Sequence, residues 1–108
     1  MSRFAPLPKP PYYAVMFSSQ KSENSQGYDD MAKLMVELAE TMNGYIGHES
    51  SRDQTGFGIT ISYWHSEDAI KAWHTNAKHQ IAQKLGKERW YDHYVVRVAK
   101  VERQYDGP

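Results

Sequence analysis

The side chains best able to do chemistry are concentrated in the second half of the chain, between residues 58 and 105. This segment holds all three Trp residues, four of the five His residues and four of the eight Tyr residues. Aromatic side chains bury large areas and prefer specific neighbours, and an imidazole gains or loses a proton near neutral pH. The segment therefore suits either a packed core or a pocket for a small molecule, and both interpretations are open at this point.

Two of the histidines are candidates for proton transfer. His79 follows Trp73 by six residues, which corresponds to roughly 120° around an unbroken helix. His65 closes a predicted strand, next to Tyr63. Because a histidine beside an aromatic pocket can act as a general acid or base, we predict His79 and His65 as catalytic residues. The alternative for His79 is an exposed position on the helix surface.

The residue types and their spacing in the sequence do not support a metal site or nucleophilic catalysis. The chain contains no His-x-x-x-His or His-Glu-x-x-His pair, and His74 and His79 lie roughly 140° apart around a helix. It has no Cys, which excludes disulfides, thiolate nucleophiles and Cys-based metal sites. Neither a Gly-x-Gly-x-x-Gly motif nor a P-loop is present. We therefore predict no metal and no bound nucleotide.

Alternation along the predicted strand that contains the sequence ITISYW separates its side chains into two faces. Tyr63 belongs to one face, whereas Trp64 shares the other face with Thr60 and Ser62. Hydroxyl groups on a core-facing side suit a partly polar cavity or a satisfied side-chain hydrogen bond. We predict that Tyr63, Trp64 and Trp73 line a substrate pocket. Packing of the core or of a dimer interface is the alternative.

Periodicity and turn signals divide the chain into an arm and one domain. Residues 1–11 hold four of the five prolines, which predicts an extended arm or a disordered tail rather than a strand. The domain spans residues 12–105 and reads as alternating strands and helices. The predicted elements are a strand at 12–18, a helix capped by Asp29 or Asp30 and ended at 43–44, a hairpin of strands at 45–53 and 57–65, a helix that follows Ser66, kinks at 74–76 and ends at Gly86, and a strand at 90–104.

The predicted order β-α-β-β-α-β is that of a ferredoxin-like α+β fold with an antiparallel sheet. The helices would cover one face of the sheet, and the other face is also apolar, so a second layer must come from outside the chain. We predict an isologous homodimer that stacks two sheets into a barrel-like core and buries more than ~2,000 Å². Arg97, among valines on the last strand, is predicted to pair with a carboxylate of the partner subunit.

Composition disfavours several classes of partner. Lys plus Arg and Asp plus Glu both number 13, so the formal net charge is zero, and no basic run indicates nucleic-acid binding. No apolar stretch approaches the ~18 residues of a membrane span, and the N-terminus lacks the apolar region of a signal peptide. We expect no nucleic-acid partner, no membrane partner and, by default, a cytoplasmic location.

A set of short motifs resembles a known family. Together the motifs resemble the antibiotic biosynthesis monooxygenase domain, and they extend over roughly residues 12–105. The set is fairly specific, although no single motif is. The motifs are GYIGHE at 44–49, GITISYW at 58–64, AIKAW at 69–73, His79, Ala82 with Gln83, and Trp90 and Tyr91 with Tyr94 and Val98.

The resemblance implies a dimeric α+β barrel and, for one branch of the family, a chemistry without metal or flavin. Members of that branch are monooxygenases that deprotonate a phenolic substrate in a dry pocket, so that the substrate carbanion itself reduces O₂. On this resemblance we expect a cofactor-independent monooxygenase that oxidises a small aromatic or quinol-type substrate. Trp64 or Trp73 would be its pocket tryptophan.

Two alternatives come from the same resemblance. Other members bind or degrade haem through a helix His and a strand Asn, and here Gln83 stands about where that His is expected, whereas Asn24, Asn43 and Asn76 lie outside the predicted strands. Gln is a poor haem ligand, which disfavours haem unless His79 replaces the ligand. Gln83 is instead predicted to contact substrate. The second alternative is a non-catalytic dimeric protein that binds a small molecule.

Overall fold

The chain folds into four strands and two helices in the predicted order. The computed structural model describes residues 3–23, 27–85 and 90–108, with side chains described at all of these except 78–85. In this part of the chain, no helix is both long enough and apolar enough to cross a membrane. The elements are β1 (Tyr12–Lys21), α1 (Tyr28–Glu40), β2 (Tyr45–Arg52), β3 (Phe57–Trp64), α2 (Glu67–Leu85) and β4 (Tyr91–Val101).

The strands form one antiparallel sheet in the order β2-β3-β1-β4. The two helices share one face of this sheet, because the buried core joins Val15 and Trp64 of the strands to Ala39 of α1 and Ile70 of α2. A four-stranded antiparallel sheet with both crossing helices on one side is the ferredoxin-like α+β fold. The predicted fold class is therefore confirmed.

The start of α1 differs from the prediction. Gly27 occupies the N-cap position with a φ of 82° and makes no side-chain cap, while Asp29 and Asp30 lie inside the first turn. The prediction that one of these aspartates caps the helix is wrong. Both carboxylates still favour the positively polarised N-terminus from within that turn.

α2 begins as predicted. The amide of Ala69 donates a 3.1 Å hydrogen bond to the Ser66 hydroxyl, which confirms Ser66 as the cap. The helix is continuous across 74–76, and the predicted kink there stays a prediction. Asn76 places its side-chain amide 3.7 Å from the sulfur of Met42, where it does not compete with the helix backbone.

Gly44 sets how closely α2 approaches the sheet. Its φ is +88°, a backbone conformation that residues with a Cβ atom rarely adopt. Its carbonyl oxygen accepts a 2.8 Å hydrogen bond from the amide of His65. A Cβ placed on Gly44 would lie 2.6 Å from the Cβ of Ala69. Gly44, in the turn between α1 and β2, therefore permits close contact of this turn with the first turn of α2.

The opposite face of the sheet is half covered by the N-terminal arm. Ala5 and Leu7 pack against the buried cluster of Tyr12, Ala14 and Tyr63. The other half carries exposed apolar side chains, including Phe57 at 46% and Ile59 at 43% exposure, and Arg97 is exposed on the same face. Among the described residues of one chain, none forms a second layer over this half of the sheet.

Candidate functional site

Two tryptophans form the centre of the helix side of the sheet. Trp64, the last residue of β3, is completely buried, and its ring centroid lies 5.4 Å from that of Trp73 on α2. The Nε1–H of Trp64 donates a 2.9 Å hydrogen bond to the Ser62 hydroxyl. Of the two alternatives for Ser62, a partly polar cavity or a satisfied side-chain hydrogen bond, the structure shows the hydrogen bond, which accounts for a hydroxyl beside the apolar core.

Trp73 differs from its neighbour in one respect. Its Nε1 atom is buried, and among the described residues no acceptor lies within hydrogen-bonding distance. A buried N–H donor without a partner costs roughly 1–3 kcal/mol, so native proteins retain few of them. An oxygen atom of a bound molecule is a natural acceptor for this donor.

A tyrosine and a histidine adjoin the tryptophan pair. The Tyr45 ring packs edge-on against Trp64 at 5.4 Å, and the Tyr45 hydroxyl lies 2.6 Å from Nδ1 of His48. Burial raises the pKa of Tyr45, with a smaller contribution from the charge of Glu40. Tyr45 and His48 thus form a hydrogen-bonded dyad that can accept or deliver a proton beside Trp64.

Sequence reasoning missed this dyad because it depends on a β-bulge. The register of β2 against β3 shifts between Tyr45 and Gly47, which adds one residue and brings His48 to the same face as Tyr45. Gly47 inside a strand was the available signal, since strand glycines often mark bulges. A strict alternation would have placed the two side chains on opposite faces.

A line of polar side chains continues from the dyad along the helix side of β2 and β3. The hydroxyls of Ser50 and Thr60 lie 2.7 Å apart, and Arg52 donates a 2.9 Å hydrogen bond to the buried Ser19 hydroxyl. We call His48, Ser50, Thr60, Ser62 and Arg52 the polar lane. These side chains give the helix side of the sheet a row of hydrogen-bonding groups, which a purely apolar core would lack.

The structure separates the predicted site residues. Tyr63 lies on the face away from Trp64, as alternation predicted, and its hydroxyl donates a 2.7 Å hydrogen bond to Glu49. Burial, followed by the hydrogen bond and charge of Glu49, raises the pKa of Tyr63. Trp64 and Trp73 are therefore brought together, whereas Tyr63 belongs to the cluster beneath the N-terminal arm.

The remaining predicted residues are not part of the described site. His65 is exposed at the end of β3. His79 and Gln83 lie in α2, but their side chains are outside the described residues, so their predicted roles stay predictions. Among the described residues, no three His, Cys, Asp or Glu side chains converge as a potential metal site.

A surface depression on α2 is a poorer candidate. It is lined by Lys71, Ala72, Thr75 and Asn76 and has a volume of about 540 Å³. It lies open to solvent, and among the described residues that line it only the lysine is titratable and none is aromatic. Trp64 and Trp73 instead combine two aromatic rings with a buried Nε1–H that has no acceptor among the described residues, which are kinds of group that ligand sites use.

Comparison with known proteins now places the chain in a family. The model of the antibiotic biosynthesis monooxygenase family matches residues 11–85, which is more than half of the chain. The chain belongs to this family. It is 52% identical to the uncharacterized protein YqjZ of Bacillus subtilis, over 96% of this chain and 91% of the relative. It is 30% identical to a jasmonate monooxygenase of Pyricularia oryzae, over 82% of this chain but only 43% of the relative.

Solved structures of the same fold include enzymes. A variant of SnoaB, a cofactor-independent oxygenase from Streptomyces nogalater, superposes with a TM-score of 0.67 over 87% of this chain and 95% of its own, at 11% identity. MhuD, with two manganese protoporphyrin IX molecules bound per active site, has a TM-score of 0.67 over 88% of this chain and 99% of its own, at 12% identity. At such identities the likeness establishes the fold alone.

Proposed function

We propose that this protein is a cofactor-independent monooxygenase that oxidises a small aromatic or quinol-type substrate with O₂ on the helix side of the sheet. The observation that carries the proposal is the buried Nε1–H of Trp73, which has no acceptor among the described residues. It lies next to Trp64, in surroundings where an aromatic ring can stack and present an oxygen atom to the donor.

The dyad supplies the proton chemistry that the reaction requires. His48, hydrogen-bonded to Tyr45, would take the proton of a phenol or of an activated ring CH₂. The Trp73 N–H would stabilise the negative charge that develops on the substrate oxygen. Exclusion of water around Trp64 would strengthen that interaction.

The electrons for such a reaction come from the substrate. When a ring CH₂ becomes a carbonyl, one oxygen atom of O₂ enters the product and the other leaves as water with the two hydrogens. The carbon loses four electrons and O₂ gains four, so no external reductant is needed. The monooxygenase activity named for the Pyricularia oryzae relative supports this reaction class.

The proposal includes the homodimer predicted from the sequence. Phe57 and Ile59 are exposed on the face away from the helices, and a second copy stacked there would bury them. Arg97 on β4 shares this face and would meet a carboxylate of the partner subunit. Analytical ultracentrifugation of the wild type and of Ile59→Asp tests this arrangement, with a dimer expected for the former and a monomer for the latter.

The experiment for the reaction uses purified protein treated with chelator and freed of flavin. O₂ consumption is recorded with dithranol, a phenolic anthrone with an activated ring CH₂, and corrected for the uncatalysed rate. We expect turnover by the wild type, a product with one added oxygen atom from ¹⁸O₂, and a severe loss in Trp73→Phe. Wild-type turnover by Trp73→Phe would exclude the helix-side site.

Two further measurements distinguish the alternatives. A Soret band that forms on addition of hemin and is lost in His79→Ala would replace the proposal by haem binding. Tight binding of dithranol without O₂ consumption would replace it by a non-catalytic binding function. We expect no such Soret band, since Gln83 stands about where the haem relatives place their ligand.

A further inference from the structure

Two cations share one aromatic ring at the far end of the polar lane. The ammonium group of Lys21 lies 4.5 Å from the centroid of the Tyr28 ring, and the guanidinium carbon of Arg52 lies 5.4 Å from the same centroid. Each contact is favourable by itself. Two like charges around one ring nevertheless repel each other, and a negative group bound near both would be attracted to each of them.

Arg52 is held in a fixed orientation. Its guanidinium donates hydrogen bonds to the Ser19 hydroxyl and to the Gly56 carbonyl, and the Tyr91 ring lies 6.0 Å away. A guanidinium group has five N–H donors, so two bonds leave several donors for another acceptor. An arginine anchored in this way is preorganised to bind a planar carboxylate.

Among the described residues, no carboxylate neutralises the two cations. Within the described residues, all interactions of Arg52 and Lys21 are the contacts given above together with backbone bonds, and neither forms an ion pair with Asp or Glu. Asp53 is adjacent in sequence, but its carboxylate accepts the Thr55 amide, the Thr55 hydroxyl and the Phe57 amide in the turn. A half-buried arginine without a carboxylate partner is uncommon.

The surroundings of the two cations are aromatic. The Tyr91 ring packs edge-on against Phe17 at 5.2 Å and against Tyr28 at 5.7 Å. Tyr94 lies 5.4 Å from Phe17 and is 56% exposed. Aromatic rings next to positive charge suit a molecule with an apolar body and an acidic end.

We propose that Arg52 and Lys21 form a binding site for the carboxylate of a small organic acid whose apolar body lies against the Tyr28, Tyr91 and Tyr94 rings. Arg52 and His48 are four residues apart on the same face of β2, a distance of roughly 13 Å. One elongated ligand can therefore reach from the cations towards the tryptophan pair. That this ligand is the substrate of the oxygenation rests on the proposed function, whereas the carboxylate site itself does not.

The test measures binding without turnover. Naphthylacetate and its methyl ester are titrated into the full-length protein under nitrogen and followed by isothermal titration calorimetry. We expect the acid to bind at least ten-fold more tightly than the ester, with an affinity that falls as salt is added. Equal affinities for acid and ester would overturn the proposal, whatever the outcome of the oxygenase assay.

Variants assign the selectivity to the two cations. Arg52→Gln and Lys21→Gln should each reduce the preference for the acid, and Arg52→Lys should restore it only in part because the fork geometry is lost. Lys33→Gln removes one exposed positive charge from α1 and serves as the matched control that keeps the wild-type preference. Lys21→Gln still tests the proposal if Arg52→Gln misfolds, because Lys21 makes no side-chain hydrogen bond among the described residues. An unchanged preference in both folded variants, or inorganic phosphate binding as tightly as naphthylacetate, would overturn the proposal.

Discussion

Tyr45 and His48 are three residues apart on one strand, yet the Tyr45 hydroxyl lies 2.6 Å from Nδ1 of His48. In a regular strand, an odd separation places side chains on opposite faces. The register shift between Tyr45 and Gly47 inserts one residue and turns both side chains towards the helices. A β-bulge therefore assembles a proton-transfer dyad beside Trp64, in keeping with the frequency of bulges next to active sites.

Replacement of His48 should slow catalysis more than it changes stability. His48→Gln removes the proton acceptor, so kcat/KM for dithranol should fall by about 10²–10⁴-fold. His74→Gln, which changes an exposed histidine of α2, should retain full activity. Wild-type kcat/KM in a folded His48→Gln variant would contradict the assignment.

Substitution by Phe should reduce stability more at Trp64 than at Trp73. Trp64→Phe removes a hydrogen bond to Ser62 from a completely buried site, so the free energy of unfolding should fall by about 1–3 kcal/mol. Trp73→Phe removes a donor that has no acceptor among the described residues, so its unfolding free energy should change by less than ~1 kcal/mol. Urea denaturation gives both values. A larger loss of stability in Trp73→Phe than in Trp64→Phe would indicate that the Trp73 donor has a structural partner.

Much of the fold followed from local signals in the sequence. Alternation in β3 predicted that Tyr63 and Trp64 face opposite sides, and Ser66 was recognisable as a cap because its hydroxyl precedes two acidic residues and an apolar run. These features depend on neighbours within a few residues. They are the features that sequence reasoning handles best.

The site was harder to predict because its contacts join distant parts of the chain. The contact of Arg52 with Tyr28 and Tyr91 brings β2, α1 and β4 together, and no local pattern specifies that meeting. The contact of the N-terminal arm with Gly47 is similar, since a Cβ on Gly47 would lie 3.2 Å from Ala5. Only the packed sheet reveals such pairs, and they lie where the bulge and the arm depart from regular structure.

Gly44→Ala should destabilise the protein strongly, although it adds only one methyl group. The new methyl group would meet a φ of +88° and a Cβ–Cβ distance of 2.6 Å to Ala69. Backbone strain and steric overlap together should lower the unfolding free energy by about 2 kcal/mol or more. Gly107→Ala, which places its methyl group where nothing lies within 4 Å, is the control. In Gly44→Ala with Ala69→Gly, the steric part of the loss should be recovered, and a double variant no more stable than Gly44→Ala would show that backbone strain alone is responsible.

Tyr63, in the cluster beneath the N-terminal arm, should make the stability of the protein fall at alkaline pH. Burial and the neighbouring Glu49 raise the pKa of Tyr63 above the value of roughly 10 for an unfolded chain. At high pH the folded state retains a proton that the unfolded state releases. The contribution of Tyr63 to stability is therefore constant below about pH 10 and declines as the pH rises towards the folded pKa. Tyr63→Phe cannot release this proton, so its urea midpoint should fall less than that of the wild type between pH ~9 and pH ~11. Tyr105→Phe, which alters a tyrosine that is 97% exposed, should follow the wild type. Parallel declines in the wild type and Tyr63→Phe would mean that other groups, such as Tyr12, whose pKa burial also raises, govern the alkaline transition.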